Sequence, residues 1–214
     1  MSAPSARPPA RERLLDAATD LFHSHGIAAT GVDAVLRRAE VAPATLYAHF
    51  AGKDGLVAAY LERRFTRWRE TWDAALAACG DDAVARAVSV FDALAAFPSR
   101  SGDRADGDDA HPARGCAFLA AAVEIPGPEH PAHPWLLADT ALLNDRLHQL
   151  STEVGASDPG ALAAELLALY DGSLAARVRV GLGDDGRLRP DTFPARELAL
   201  AAVARHTARA PRPS

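Results

Sequence analysis

The sequence predicts an all-α protein of about nine helices, with a small three-helix head carrying a helix-turn-helix and a larger helical bundle behind it. Three observations lead there. Ala and Leu are abundant while runs of Ile and Val are scarce, which favours helix over strand. Apolar residues return at three- and four-residue spacing through most of the chain. Near the N-terminus two short periodic segments meet across a tight turn.

A chain of 214 residues, 49% hydrophobic, can bury a sizeable core in one domain or two small ones. No apolar run approaches the roughly 18 residues of a membrane span. Met1 to Ala10 is rich in Pro, Ser and Ala and lacks the apolar centre of a signal peptide, so it reads as a flexible arm. Cys79 and Cys116 form neither a disulfide framework nor a metal motif, which suits a reducing cytoplasm. The net charge of −5 is unevenly spread. Residues 1–70 hold ten Arg/Lys and eight Asp/Glu, a balance of +2, leaving −7 for the rest. That is the sign expected of a nucleic-acid-binding head on an acidic body.

The first helix is expected over Ala10 to Ser24, with Leu14, Leu15, Ala18, Leu21 and Phe22 on one face and Gly26 at its end. Thr30 and Asp33 have the spacing of a capping box for a second helix over Val32 to Ala39. Pro43 suits the first turn of a third helix. Neither short helix would be stable alone. A long fourth helix, Lys53 to Ala78, carries the stripe Leu56, Val57, Tyr60, Leu61, Phe65, Trp68, Trp72 and Leu76. At about 1.5 Å per residue it spans about 39 Å. Asp81 or Asp82 caps a fifth helix reaching Ala96. Pro98 to Pro112 is polar and reads as a loop. An apolar segment, Arg114 to Glu124, precedes a proline-rich connection. Further helices follow over Trp135 to Val154, from the Asp158-Pro159 cap to Val180, and over Pro194 to Thr207, with a turn at Gly181 to Arg189.

The stretch Glu40 to Lys53 stands out. Leu46 and Phe50 are four apart and share one helix face, while Thr45, Tyr47, His49 and Lys53 are donors able to point the other way. An apolar back with donors in front suits a phosphate backbone. Lys53 sits at a helix start, where the dipole disfavours a cation unless a phosphate joins it. A solvated lysine and partly buried Tyr47 and His49 are the plainer readings of the same residues.

The series Gly26-Ile27-Ala28-Ala29-Thr30-Gly31-Val32-Asp33, Val41-Ala42-Pro43-Ala44-Thr45-Leu46-Tyr47-Ala48-His49-Phe50 and Lys53-Asp54-Gly55-Leu56 resembles the DNA-binding domain of the tetracycline-repressor (TetR) family over about Arg11 to Tyr60. Two positions depart from the family pattern. Glu40 stands where the turn usually has Gly, which asks a non-glycine residue for positive φ. Gly31 stands where Ser or Thr usually follows Thr30, removing a capping hydroxyl. Farther on, Arg114-Gly115-Cys116-Ala117-Phe118-Leu119, Glu124-Ile125-Pro126, His130-Pro131 and Leu169-Tyr170-Asp171-Gly172 resemble one subgroup of such regulators.

The resemblance implies a head over 10–53 and a ligand-binding and dimerisation domain over 54–208, with tails at 1–9 and 209–214. It implies that Pro43, Ala44, Thr45 and Ala48 face the major groove of an operator, with Thr30, Thr45, Tyr47, His49 and Lys53 among the DNA-binding residues. Pro43, Ala44 and Ala48 can meet thymine methyls but cannot make the bidentate hydrogen bonds that read G or A. It implies a homodimer, for which Leu162, Leu166, Leu169, Tyr170, Leu174, Leu198 and Ala202 are the interface candidates; central core helices would look the same. It implies a small-molecule effector. Trp68, Trp72, Phe91, Cys116, Phe118 and Trp135 are plausible lining, though ordinary core accounts for such a stripe as well.

The rival readings are weaker. His111, His130 and His133 fall around a Pro-rich stretch with no Cys or carboxylate set to complete a metal site. No nucleophile elbow, P-loop, dinucleotide fingerprint or zincin motif is present, so neither an enzyme nor a cofactor is expected. A hydrolase using Cys116 or the histidines is the remote option. A helical small-molecule-binding protein with a weakened DNA head is the nearer one, on account of Glu40 and the alanine-rich reading face.

Overall fold

The computed structural model describes residues 7–97, 116–180 and 194–208, and the side chains of all of these except 178–180. Among them the chain forms nine α-helices: α1 (Ala10–His25), α2 (Val32–Ala39), α3 (Pro43–His49), α4 (Gly52–Ala78), α5 (Ala83–Ala96), α6 (Ala117–Glu124), α7 (His133–Glu153), α8 (Pro159–Val180) and α9 (Ala195–Thr207). The expected loop at 98–112, the turn at 181–189, His111, Arg114, Gly115 and the tail at 209–214 lie outside the described residues. No described helix is long and apolar enough to cross a membrane.

The helices divide into two compact units, Met1–Arg64 with Ser99–Leu136, and Phe65–Pro98 with Leu137–Ser214. In the first, α1 is the scaffold. Its Leu14, Leu15, Ala18 and Phe22 are buried with Val35 and Leu36 of α2, Leu46 of α3 and Leu56, Val57, Tyr60 and Leu61 of α4. Phe22 and Tyr60 meet edge to face with centroids 5.5 Å apart, a favoured arrangement for aromatic pairs. Burial raises the Tyr60 phenol above its ordinary range, so it stays protonated. Arg63 of α4 ties back to α1, donating to Asp16 Oδ1 at 2.7 Å and to the Leu15 carbonyl at 2.8 Å.

One N-terminal feature differs from expectation and another meets it. Thr30 caps nothing. The residue at the start of α2 is Gly31, with no side-chain cap. Thr30 stands one position too early and is buried, so its hydroxyl turns back to the Gly26 carbonyl at 2.6 Å. Glu40, by contrast, adopts the backbone its place in the turn demands. Its φ of 52° and ψ of 52° are left-handed, and among the described residues no other non-glycine has positive φ. The Val41 amide bonds the Leu36 carbonyl and the Glu40 amide the Arg37 carbonyl, both at 3.2 Å. This is the Schellman closure of a helix end. The end of α7 closes alike, Ala156 to Ser151 and Gly155 to Thr152, but there the left-handed slot holds Gly155 at φ 77°.

In the second unit α5, α8 and α9 pack mutually. Trp72 is fully buried and donates its indole N–H to Ser89 Oγ at 3.0 Å. The Arg146 guanidinium lies 4.8 Å from the Trp72 ring centre and 2.8 Å from Asp73. Asp82 caps α5, accepting the Val84 and Ala85 amides. Asp158 caps α8 through the Ala161 amide at 3.0 Å.

The interface candidates differ in exposure within the single chain. Leu162, Leu166, Tyr170, Leu174 and Ala202 are buried inside the single chain, whereas Leu198 is 45% exposed and Leu169 half-buried. The reason is helical phase. The run Leu162, Leu166, Tyr170, Leu174 lies on one side of α8, and the exposed Ala161, Ala164, Ala168 and Ala175 lie on the other.

Replacing Glu40 by Gly relieves the left-handed strain, against a smaller loss to unfolded-chain entropy, and is expected to stabilise the protein by about 1 kcal/mol; a urea melt showing a lower midpoint for the variant would contradict this. Asp171 gives a pH test. Burial holds its carboxyl above the ordinary carboxylate range, so its ionisation in the folded state costs stability, and that cost appears as pH rises through the raised value. Asp171→Asn is therefore expected to be more stable than wild type at neutral pH, with the advantage fading as pH falls below that value. Urea melts at neutral and acid pH check it, and a constant difference or a less stable variant refutes it.

Candidate nucleic-acid interface

A seven-residue helix cannot hold itself in water. What fixes α3 is its back. Leu46 is fully buried and Phe50 nearly so, and burying a side chain of that size is worth about 1.5–3 kcal/mol. Pro43 opens the helix with no side-chain cap, and the Phe50 amide closes it on the Leu46 carbonyl at 2.8 Å. The opposite face is then outward. Pro43, Ala44, Ala48 and His49 are exposed, Tyr47 is 66% exposed and Thr45 half-buried.

The chain next makes a sharp entry into α4. Gly52 has φ 81°, and a β-carbon placed on it would lie 3.9 Å from Tyr47 Cε1. Tyr47 thus lies near the first turn of α4, where Lys53 stands. The Lys53 ammonium sits 3.4 Å from the Ala28 carbonyl. The Ala28 amide donates to Glu124. Asp54, next in sequence, faces His130 Nε2 at 3.4 Å. A set of donors therefore projects from the α3 face and the α4 start, with small apolar residues between them and no carboxylate in α3 itself. That chemistry suits an anionic backbone better than a cation or an apolar partner.

The structure groups Pro43, Ala44, Thr45, Tyr47, Ala48 and His49 on one helix, with Lys53 at the start of the next. Thr30 is apart from them, buried with its hydroxyl engaged inside the head. Of the basic residues nearby, Arg38 is bound to Asp20 through Nε at 3.2 Å and Nη2 at 2.7 Å, and Arg7 pairs with Glu40. Arg11 lies over the Phe50 ring at 5.4 Å. Sequence reading missed Ala28, Glu124 and His130. Spacing held no signal for the first pair, whose members are 96 residues apart.

The candidate ligand-lining residues divide between the units. In the second, Trp68 packs with Trp72, Phe97 and Tyr170 at centroid distances of 5.9, 5.5 and 5.7 Å. Phe91 is also buried there. The Trp68 indole N–H is buried and meets no acceptor among the described residues. In the first unit Phe118 is buried, and Cys116 at the start of α6 and Trp135 are half-buried.

Known proteins agree with this architecture. Residues 14–60 match the family described as bacterial regulatory proteins, tetR family. The HTH-type transcriptional regulator UidR of Escherichia coli (strain K12) is 35% identical over 66 residues, 29% of this chain and 34% of UidR, so the match spans about a third of that relative's length. The crystal structure of SCO4454, a TetR-family transcriptional regulator from Streptomyces coelicolor, is 34% identical with a TM-score of 0.72, covering 92% of this chain and 94% of that one. A putative TetR transcriptional regulator from Streptomyces avermitilis is 29% identical with a TM-score of 0.63, covering 92% and 98% of the two chains. Because the likeness to SCO4454 runs through head and body alike, the chain belongs to the tetR family of bacterial transcriptional regulators.

Proposed function

We propose that the protein is a ligand-responsive, DNA-binding repressor that grips a near-palindromic operator as a homodimer and is released by a small apolar effector. The observation that carries the reading is the division of α3, with Leu46 and Phe50 buried behind it and Tyr47, His49 and the small residues exposed in front. On this reading Thr45, Tyr47, His49 and Lys53 hold phosphates, and Pro43, Ala44 and Ala48 touch base edges apolarly. Direct base reading is correspondingly thin, and DNA shape supplies part of the specificity. Thr30 shapes the turn before α2 rather than touching DNA. Residues 10–53 act as the DNA-binding domain and 54–208 as the effector and dimerisation domain.

A single head contacts too little DNA to be selective, so two are needed. The exposed alanine face of α8, with Leu169 beside it and Leu198 of α9, supports pairing there. Small side chains let two helices approach closely. The aromatic cluster around Trp68 supports an effector that is flat and apolar with one hydrogen-bond acceptor for the indole N–H. Such a ligand shifts the dimer from the DNA-competent spacing of its heads by binding the other spacing more tightly.

Gel shifts on the DNA upstream of the protein's own gene, repeated over a range of salt, test the reading. Lys53→Ala, which removes one phosphate contact from each head of the dimer, is expected to weaken binding across sequences and to lower the salt slope by about two. Tyr47→Phe is expected to weaken binding by roughly 2 kcal/mol, about thirtyfold, through the hydroxyl lost from each subunit. If both variants bind like wild type, the phosphate-contact assignment is wrong. For the interface, Ala168→Arg is expected to convert the dimer to monomer by light scattering and to abolish cooperative operator binding; an intact dimer would refute the α8 face.

A further inference from the structure

Two side chains from beyond α5 in sequence fasten onto the head within the first unit. Glu124, the last residue of α6, accepts the backbone N–H of Ala28 in the turn between α1 and α2. His130, in the connection to α7, turns Nε2 toward Asp54 Oδ1 at 3.4 Å with only 10% of its side chain exposed. The ring's orientation is fixed from behind. The Ala132 amide donates to His130 Nδ1 at 3.1 Å, so Nδ1 is an acceptor and the proton resides on Nε2, facing the carboxylate.

These two clasps converge on one functional side chain. Ala28 offers its amide to Glu124 and its carbonyl to the Lys53 ammonium, 3.4 Å away. Asp54, the residue that His130 faces, follows Lys53 in the first turn of α4. The turn that receives the Lys53 ammonium and the turn that carries its backbone are therefore each held by the same short segment, 124–130. The hydrophobic core of the head contains neither clasp. Leu14, Leu15, Val35, Leu46 and Leu61, all on α1 to α4, are each at most 2% exposed.

We propose that Glu124 is a positioning residue for DNA binding: through the Ala28 peptide it sets where the Lys53 ammonium stands, and His130 steadies the same turn through Asp54. This rests on the reading of Lys53 as a phosphate contact. Without the Glu124 carboxylate the Ala28 amide turns to water, the α1–α2 turn loses its fixed place, and Lys53 loses the carbonyl that aligns it.

The test is a double-mutant cycle on the full-length protein with the duplex from upstream of its own gene, titrated at several salt concentrations. Glu124→Ala is expected to bind roughly fivefold more weakly, with its salt slope reduced toward that of Lys53→Ala. Glu124→Gln, whose amide oxygen still accepts the Ala28 N–H, is expected to recover wild-type affinity and slope. The Lys53→Ala, Glu124→Ala double variant is expected to bind no more weakly than Lys53→Ala alone. A general loss of folding behaves differently, since it adds to the Lys53→Ala defect. The inference is overturned if Glu124→Ala matches wild type, if Gln fails to rescue, or if the two defects add. Wild-type protein that fails to bind the duplex overturns the DNA-binding reading and this inference together; wild-type binding with any of those three variant outcomes overturns this inference alone.

Discussion

The head depends on the burial of Leu46 and Phe50. Helix α3 is too short to persist by its own hydrogen bonds, and no side chain caps its start. Its existence and its orientation come from one source, two apolar side chains a turn apart seated against α1, α2 and α4. Removing Leu46 would cost about 2–5 kcal/mol by the usual measure of core truncation. It would also free the outward face, because the same contact that stabilises the helix aims it. On the proposed reading, stability and recognition are not separable at this position.

The body solves a different problem with similar means. Its buried faces are filled largely by leucine and tryptophan, and several of its polar atoms are matched locally, as with Trp72 on Ser89 and Asp82 on the α5 amides. Alanine fills the positions that need little volume, and on α8 it also forms the outer face. High alanine content thus serves helix propensity throughout and, on the proposed reading, close approach of a second α8 face.

Much of this was legible in the sequence. Helix periodicity, Pro43 at a helix start and the Asp158-Pro159 pair each follow from local chemistry, the left-handed slot at Glu40 follows from the family resemblance, and the helices stand within a few residues of the expected bounds. Legibility failed where phase or distance decided the outcome. A leucine-rich helix reads as apolar all round, so the sequence did not tell which side of α8 faces inward. Thr30 has the spacing of a cap, but burial turned its hydroxyl toward Gly26 instead. Of the candidate site, α3 and Lys53 were readable because their residues adjoin. Glu124 on Ala28 was not, since nothing local in a helix-ending glutamate announces an amide 96 residues earlier.

The resting place of Lys53 has a thermodynamic consequence. A lysine carries about 2 kcal/mol of rotamer entropy, and an ammonium waving in water loses much of it on meeting a fixed anion. Lys53 already has its stem aligned by the Ala28 carbonyl. On the proposed reading the encounter with a phosphate exchanges one oxygen for another with little ordering still to do. Its contribution to binding would then come chiefly from released counterions. Warming would weaken it little, and added salt would weaken it strongly.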